Sequence, residues 1–157
     1  MKREIIFRGK RVDNGEWISG WLIKGFADSF YIMNECSYGE HLDYGGDAYG
    51  RFNKVIPETV GQFTGLTDKN GNKIFEGDVI ALPYITPMGQ ITSEEDEDLR
   101  THVIYENGEF ALRNTPLSEW IEREEGEYIP NHGNKVIFKG FLGTVIGNIH
   151  ESLTPNK

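Results

Sequence analysis

A net charge of −9 on a chain of 157 residues excludes several classes of function before any motif is considered. Because phosphate backbones attract lysine and arginine, this acidic excess argues against tight binding to duplex DNA. The single cysteine, Cys36, cannot form an internal disulfide, and no apolar run approaches the roughly 20 residues that cross a bilayer. We therefore expect a cytoplasmic protein with one domain, residues 1–157, and no membrane partner.

Short runs rich in β-branched and aromatic residues follow one another along the chain and predict strands. In chain order they are EIIFRG, EWISGWLIK, SFYIMN, KIFEGDVIAL, RTHVIYE, EFALRN and KVIFKGFLGTVIGNI. Turn residues separate most of these runs, so the strands are expected to pair as antiparallel hairpins. The pattern predicts a mainly β fold that begins with an N-terminal β element.

Three Asn-Gly dipeptides predict tight turns, because both residues tolerate the positive φ angles of a two-residue type I′ hairpin. They lie at Asn14-Gly15, Asn70-Gly71 and Asn107-Gly108. The register implied at the third turn places Tyr105 opposite Phe110, which is favourable, but Glu106 opposite Glu109, which is not. A similar acidic conflict occurs at the first turn. For these two hairpins, a longer loop and a well-solvated tip remain alternatives.

The stretch TGLTDKNGNKIFEGDVI, from Thr64 to Ile80, carries the second turn and resembles a ligand loop at first sight. Its two-residue register places Asp68 opposite Lys73 and Leu66 opposite Phe75, so the local choices agree with a hairpin. The sequence therefore predicts a folding element. Since an exposed ion pair contributes at most about 1 kcal/mol, the change Asp68→Asn is expected to cost little.

The EGDVI segment predicts a tight entry into a strand. Gly77 suits a left-handed backbone conformation, and Asp78 can accept hydrogen bonds from nearby amides. Small barrels of the SH3-like type often begin a strand in this way. By this analogy of fold, the antiparallel hairpins are expected to form a small SH3-like barrel-type core.

One or two short helices are expected beside the strands. In TPLSEWIEREEG, Thr115 suits the N-cap, Pro116 the first helical position and Gly126 the helix end. The apolar stripe of this segment is short, because the next position on its face is the charged Glu124. A second short turn is predicted near Pro57.

Two stretches are predicted as loops. Glu35–Asn53 is rich in glycine and tyrosine and has no period, whereas Pro83–Arg100 contains five consecutive acids, Glu94–Asp98. A charge run of this kind is typical of a solvated, mobile loop. The aromatic residues of the first loop contribute to our expectation of a homo-oligomer.

A search for catalytic and metal-binding patterns gives no candidate residues. The histidines, His41, His102, His132 and His150, are far apart in sequence, and nothing near Cys36 would activate it as a nucleophile. We expect Cys36 to be a small buried apolar residue.

The segment from Asp68 does not fit a calcium loop. Its glycine is fourth rather than sixth, and Val79 occupies the twelfth position, where a glutamate is required. The sequence predicts no catalytic, cofactor-binding or metal-binding residue, and no cofactor.

Several of these segments together resemble the YopX family of phage and prophage proteins. The resemblance rests on IPETVGQFTGLTDKNGNKIFEGDVI, on the later VIGNIHES, on the opening REIIFRGKRVDNGEWISGW and on the hairpin VIYENGEFALR. It implies a mainly β protein encoded by a temperate phage or prophage and acting in the bacterial cytoplasm. The family has no established activity, so the resemblance supplies no catalytic residues. The acidic segment before Arg100 lies where such proteins vary in length.

Three classes of function stay open. The first is an accessory protein-interaction module that self-associates or binds a host or phage protein, for which three tryptophans and seven tyrosines provide interface residues. The second is an acidic nucleic-acid-related protein, either a DNA-mimicking decoy of a host factor or a weak binder that uses its basic N-terminus. The third is an uncharacterised enzyme, which would need a concave pocket with convergent polar groups.

Overall fold

The computed structural model describes residues 4–34, 52–88, 91–129 and 133–152, with the backbone alone described at 85, 91–99, 122–129 and 133–139. Strands hold 58% of the chain, which confirms the mainly β prediction. The chain divides into two compact units, Met1–Phe63 with His150–Lys157, and Thr64–Ile149. The assignment of one domain stays a prediction.

The first unit is an antiparallel sheet. Its strands are β1 (Phe7–Lys10), β2 (Trp17–Lys24), β3 (Phe30–Met33), β4 (Phe52–Val55) and the start of β5 (Gly61–Thr67). They are ordered β4-β3-β2-β1-β5. The chain just after β1 also forms an antiparallel bridge with β4, between Arg11 and Val55, so the sheet curls back towards its own edge.

Close approach of neighbouring strands explains a glycine in the middle of β2. A Cβ atom at Gly20 would lie 2.1 Å from the carbonyl oxygen of Met33 on β3. Ile32 and Val55 are fully buried in the same unit. The WISGWLI sequence therefore combines strand-forming residues with one small residue where the backbone of the next strand comes closest.

The second unit contains the remaining strands. They are β6 (Lys73–Phe75), β7 (Asp78–Ile85), β8 (Ile91–Glu106), β9 (Glu109–Leu112), β10 (Thr115–Pro116), β11 (Ile121–Ile129), β12 (Gly133–Phe141) and β13 (Thr144–Asn148). Five of them form a sheet ordered β10-β9-β8-β7-β13, while β11 pairs with β12, and β6 pairs with β5.

One apolar cluster forms the core of the second unit. It consists of Ile74, Ile80, Leu82, Val103, Leu112, Leu117 and Phe141, with Leu66, Phe110, Trp120 and Val145 packed against it. These residues come from most strands of the unit, and each buried side chain of this size contributes roughly 1.5–3 kcal/mol. The described strands of neither unit close into a complete barrel.

The Asn107-Gly108 turn confirms the type I′ prediction. Both residues have positive φ angles, 52° and 88°, and Glu106 pairs with Glu109 across the two-residue loop. The next pair outward, Tyr105 and Phe110, packs edge to face with ring centroids 5.0 Å apart. The favourable aromatic pair is therefore retained together with the unfavourable acidic pair.

The other two Asn-Gly turns use longer loops. At the first, Arg11 donates its amide to the Glu16 carbonyl, which leaves four residues in the loop. At the second, Asp68 donates its amide to Asn72, and Gly71 alone has a positive φ, 82°. This is a three-residue loop, so the predicted pairing of Asp68 with Lys73 is wrong. A three-residue hairpin loop needs only one residue in the left-handed conformation, and Gly71 is that residue.

The helix predicted at Thr115 is wrong, whereas the short turn predicted near Pro57 is confirmed. The predicted helix from Thr115 to Gly126 is a 3₁₀ helix at Leu117–Trp120 followed at once by β11. Strand pairing with β12 replaces the weak helical stripe that Glu124 already interrupted. A second 3₁₀ helix, Pro57–Thr59, confirms the short turn expected near Pro57.

The predicted acidic loop is mostly strand. Within the stretch 83–100, β7 continues to residue 85 and β8 begins at residue 91, and the acidic run 94–98 lies in β8. Pairing with β7 provides backbone hydrogen bonds that the charge pattern could not indicate. The glycine- and tyrosine-rich loop falls outside the described residues except for its last two positions, which begin β4.

Candidate functional site

Asp68 is a buried clamp between the β5–β6 hairpin and β13. One carboxylate oxygen accepts hydrogen bonds from the amides of Asn70 and Asn72, each 2.9 Å long. The other accepts from the Asn72 side chain at 3.0 Å and from the Val145 amide at 3.1 Å. A carboxylate offers about four lone-pair sites, and all are occupied by protein donors. The residue is only 5% exposed.

The hydrogen bonds determine the ionisation of this carboxyl group. Burial raises the pKa of Asp68, but the bonds from Asn72, Val145 and Asn70 outweigh it and hold the pKa below its ordinary value. The charged form is therefore the one that the fold stabilises. This environment differs from the exposed ion pair that the sequence suggested.

Asp78 closes a second polar contact in the same unit. It is fully buried, accepts the Phe75 amide at 2.8 Å, and accepts the Asn148 side-chain amide at 3.2 Å. The bond from Phe75 confirms the predicted role of Asp78 at the entry of the strand. Gly77, with φ of 84°, confirms the predicted left-handed position, and a Cβ there would lie 3.2 Å from the Asn148 side chain.

Two motifs far apart in sequence therefore meet in space. The EGD motif of residues 76–78 contacts the IGN motif of residues 146–148, and the DKNG turn contacts the strand that carries IGN. The carboxylates of Asp68 and Asp78, which resemble ligand groups in the sequence, accept hydrogen bonds from other groups of the same unit. The stretch from Thr64 to Ile80 is a structural element of the second unit.

The residues considered for catalysis or metal binding are dispersed. His102 is exposed and lies in β8, whereas His150 lies in a turn of the first unit. Cys36, His41 and His132 lie outside the described residues. Among the residues that the structure describes, no group of three or more histidine, cysteine, aspartate or glutamate side chains is arranged to hold a metal ion.

A row of apolar side chains crosses the sheet of the first unit, and we call it the aromatic row: Trp21, Met33 and Phe52. Trp21 on β2 is the register partner of Met33 on β3, and Met33 is the partner of Phe52 on β4. Direct register partners project from the same face of a sheet. Trp21 is 49% exposed and Phe52 is 52% exposed, so two large aromatic side chains of this row meet solvent.

Basic side chains lie near the other end of the same face. Lys10 is the register partner of Trp17, and the guanidinium carbon of Arg8 lies 4.7 Å from the centroid of the Trp17 ring. The Lys10 ammonium group donates to the carbonyl oxygens of His150 and Glu151. Lys10 therefore holds the C-terminal segment of this unit in place, and its role is structural.

A groove of about 270 Å³ opens on the second unit, and we call it the apolar groove. It is lined by Thr64, Leu66, Glu109, Phe110, Pro116, Leu117, Ser118 and Ile121. Its floor is part of the core cluster, because Leu66 and Phe110 pack directly against the buried residues of that cluster. The lining side chains are mostly apolar.

Neither the aromatic row nor the apolar groove was identified from the sequence. The row depends on the register of three strands, and the groove combines β5, β9, β10 and a 3₁₀ helix. For the aromatic row, the available sequence signal is the alternation of Trp17, Ser19 and Trp21, which places these residues on one face of β2. No local pattern indicates the second.

A model of one protein family, described as YopX protein, matches residues 7–154. The match covers nearly the whole chain and includes the contacts of Asp68 and Asp78. Neither the search of curated proteins nor the search of solved structures found a match. No helix within the described ranges combines the length and the apolar composition that a bilayer crossing requires.

Proposed function

The chain belongs to the YopX family, and from this premise we propose that it is a phage- or prophage-encoded accessory protein of the bacterial cytoplasm, a non-enzymatic interaction module that self-associates through the aromatic row. The observation that carries the proposal is the exposure of Trp21 and Phe52 on one sheet face. Tryptophan, phenylalanine and methionine are enriched in protein–protein interfaces.

The order of residues in the aromatic row suits contact between two identical copies. In a two-fold symmetric interface, residue i contacts residue j of the partner, and residue j contacts residue i. An axis through Met33 would place Trp21 of each copy against Phe52 of the other, with the two methionines in contact. Two sheet faces that pack in this way lie about 10 Å apart, which aromatic side chains fill.

Light scattering coupled to gel filtration tests the proposal at high micromolar protein concentration. The wild type is expected to give twice the chain mass of 17.9 kDa. Trp21→Glu and Phe52→Glu should each give the single-chain mass, because an interface core does not accommodate an unpaired carboxylate. Phe26→Glu is the matched control, since Phe26 lies on a hairpin tip outside the row and is 97% exposed. A monomeric wild type would refute self-association.

A second candidate function, a DNA-mimicking decoy, is favoured by the acidic run 94–98 in β8. The run places five acidic residues in succession on one strand, and those that share a face recur about every 6.6 Å along it. Duplex DNA is likewise bound by its protein partners through closely spaced negative charges, its phosphates. The net charge of −9 is consistent with the same idea.

Competition with duplex DNA tests the decoy. The wild type should release DNA from a basic, sequence-independent bacterial DNA-binding protein, and less so as salt is raised. A variant with the five acids of 94–98 changed to glutamine or asparagine should lose this effect. If that variant competes as well as the wild type, the acidic run does not act as a decoy.

A further inference from the structure

The apolar groove lies in the second unit, whereas the aromatic row lies in the first. Its volume of about 270 Å³ is below the roughly 300–1,000 Å³ of pockets for small molecules, so it suits one side chain of a partner. Leu66, Phe110 and Leu117 are among its apolar lining residues. The occupant must therefore present an apolar group.

Three exposed acidic residues lie in the lining of the groove or next to a lining residue in the structure. Glu109 is the one ionisable residue among those that line it, and it is exposed. Glu106 is its direct register partner across the Asn107-Gly108 turn, and it is also exposed. Glu119 is exposed as well and follows Ser118, a lining residue, in the 3₁₀ helix.

The pair of Glu106 and Glu109 is unfavourable in the chain alone. Like charges placed directly opposite each other on neighbouring strands destabilise the pairing. The type I′ turn fixes the register, so the two residues cannot move apart by a slip of the strands. A cation bound beside them would remove this repulsion.

We propose that the apolar groove binds a segment of a partner protein in which an apolar side chain is flanked by lysine or arginine. The apolar side chain enters the groove, and the flanking cations contact the carboxylates of Glu109 and Glu106. Charge complementarity then selects the partner, because an acidic segment would be repelled by the same carboxylates. This site lies in the second unit and does not depend on self-association.

Three blocked synthetic peptides test the groove by NMR titration of the protein. Lys-Leu-Phe-Leu-Lys is expected to bind and to shift the amide signals of Leu66 and Phe110. Glu-Leu-Phe-Leu-Glu tests charge with the same apolar content, and Lys-Ser-Ser-Ser-Lys tests charge without it. Both are expected to bind at least about tenfold more weakly, since each lacks one of the two contributions.

Variants locate the binding site. Glu109→Gln should weaken binding of Lys-Leu-Phe-Leu-Lys about three- to fivefold, as expected for one exposed ion pair. Ser118→Arg places a cation and a large side chain at the groove and should abolish binding. Glu58→Gln, an exposed site in the first unit, is the matched control and should bind as the wild type does.

Two results would overturn the proposal. Equal affinity for the basic and the acidic peptide would show that the rim charges do not select the partner. Undiminished binding to the Ser118→Arg variant, with its amide spectrum otherwise unchanged, would place the peptide elsewhere. Because the aromatic row is intact in all these variants, their oligomeric state reports separately on self-association.

Discussion

Changing Asp68 to asparagine removes one negative charge and reverses the hydrogen-bonding character of one side-chain atom. The remaining oxygen can still accept from the amides of Asn70 and Asn72. The new NH₂ group then faces two other donors, the Val145 amide and the Asn72 side chain. Asparagine at this position therefore leaves donors opposed to donors.

The free energy of unfolding that Asp68→Asn loses depends on whether each opposed donor can find another acceptor. The Val145 amide loses its acceptor, which costs about 1–3 kcal/mol for a partly buried group. The Asn72 side chain is exposed and can turn to water, so its loss is about 0.5–1.5 kcal/mol. We expect a total of about 2–4 kcal/mol, which corresponds to a decrease in Tm of roughly 4–16 °C for a chain of this size.

The pH dependence separates this reasoning from simple loss of packing. Because the folded-state pKa of Asp68 is lowered, its contribution is fully present above the unfolded value and is lost as pH falls through the folded pKa. Urea unfolding of the wild type and Asp68→Asn should therefore show the largest gap near about pH 7, narrowing towards about pH 3. Glu58→Gln, an exposed control, should follow the wild type throughout.

Two outcomes would refute the clamp. A loss below about 1 kcal/mol at neutral pH would mean that Asp68 behaves as an exposed group. A rise of several degrees in the Tm of the wild type with millimolar calcium, magnesium or zinc, absent in Asp68→Asn, would mean that the residue binds a metal. We expect no such rise, because protein donors occupy the carboxylate oxygens.

Three further predictions concern the glycines, the second polar contact and DNA. Gly77→Ala should lower the urea midpoint more than Gly71→Ala does. Both glycines have positive φ angles, but only at Gly77 would the new Cβ contact a neighbouring side chain, that of Asn148. Equal decreases in the two midpoints would contradict this prediction. Asn148→Asp would replace the amide that donates to buried Asp78 with a second carboxyl group, so this variant should have a lower urea midpoint than the wild type at neutral pH, and an equal midpoint would contradict the contact. Fluorescence anisotropy with random-sequence duplex DNA should show no submicromolar binding at physiological salt; salt-sensitive submicromolar affinity would contradict the argument from net charge.

The sequence predicted those features that depend on residues adjacent in the chain. The type I′ turn at Asn107-Gly108, the left-handed Gly77 and the role of Asp78 at a strand entry all follow from local backbone chemistry. The mainly β class followed from the density of strand-forming runs. Each of these signals lies within a few residues, so no knowledge of the tertiary fold was needed.

Features set by distant partners could not be predicted in this way. Asp68 was expected to be exposed, because its Val145 donor is 77 residues away in the sequence. The helix expected at Thr115 has a short apolar stripe, and pairing of β11 with β12 outweighs it. The acidic run 94–98 resembles a loop by charge alone, yet pairing with β7 holds part of it in a strand.

The contacts of the family motifs indicate where function must be sought. Asp68 and Asp78 are buried and bonded to backbone amides and asparagine side chains of the same unit, so a ligand could reach them only by displacing those bonds. Displacement would leave buried donors without acceptors, at a cost that a weak ligand cannot offset. Binding is far less costly where apolar side chains already meet water, as at Trp21 and Phe52, or where like charges already repel, as at Glu109. Recognition by this protein is therefore expected at these exposed surfaces and not at the buried carboxylates of Asp68 and Asp78.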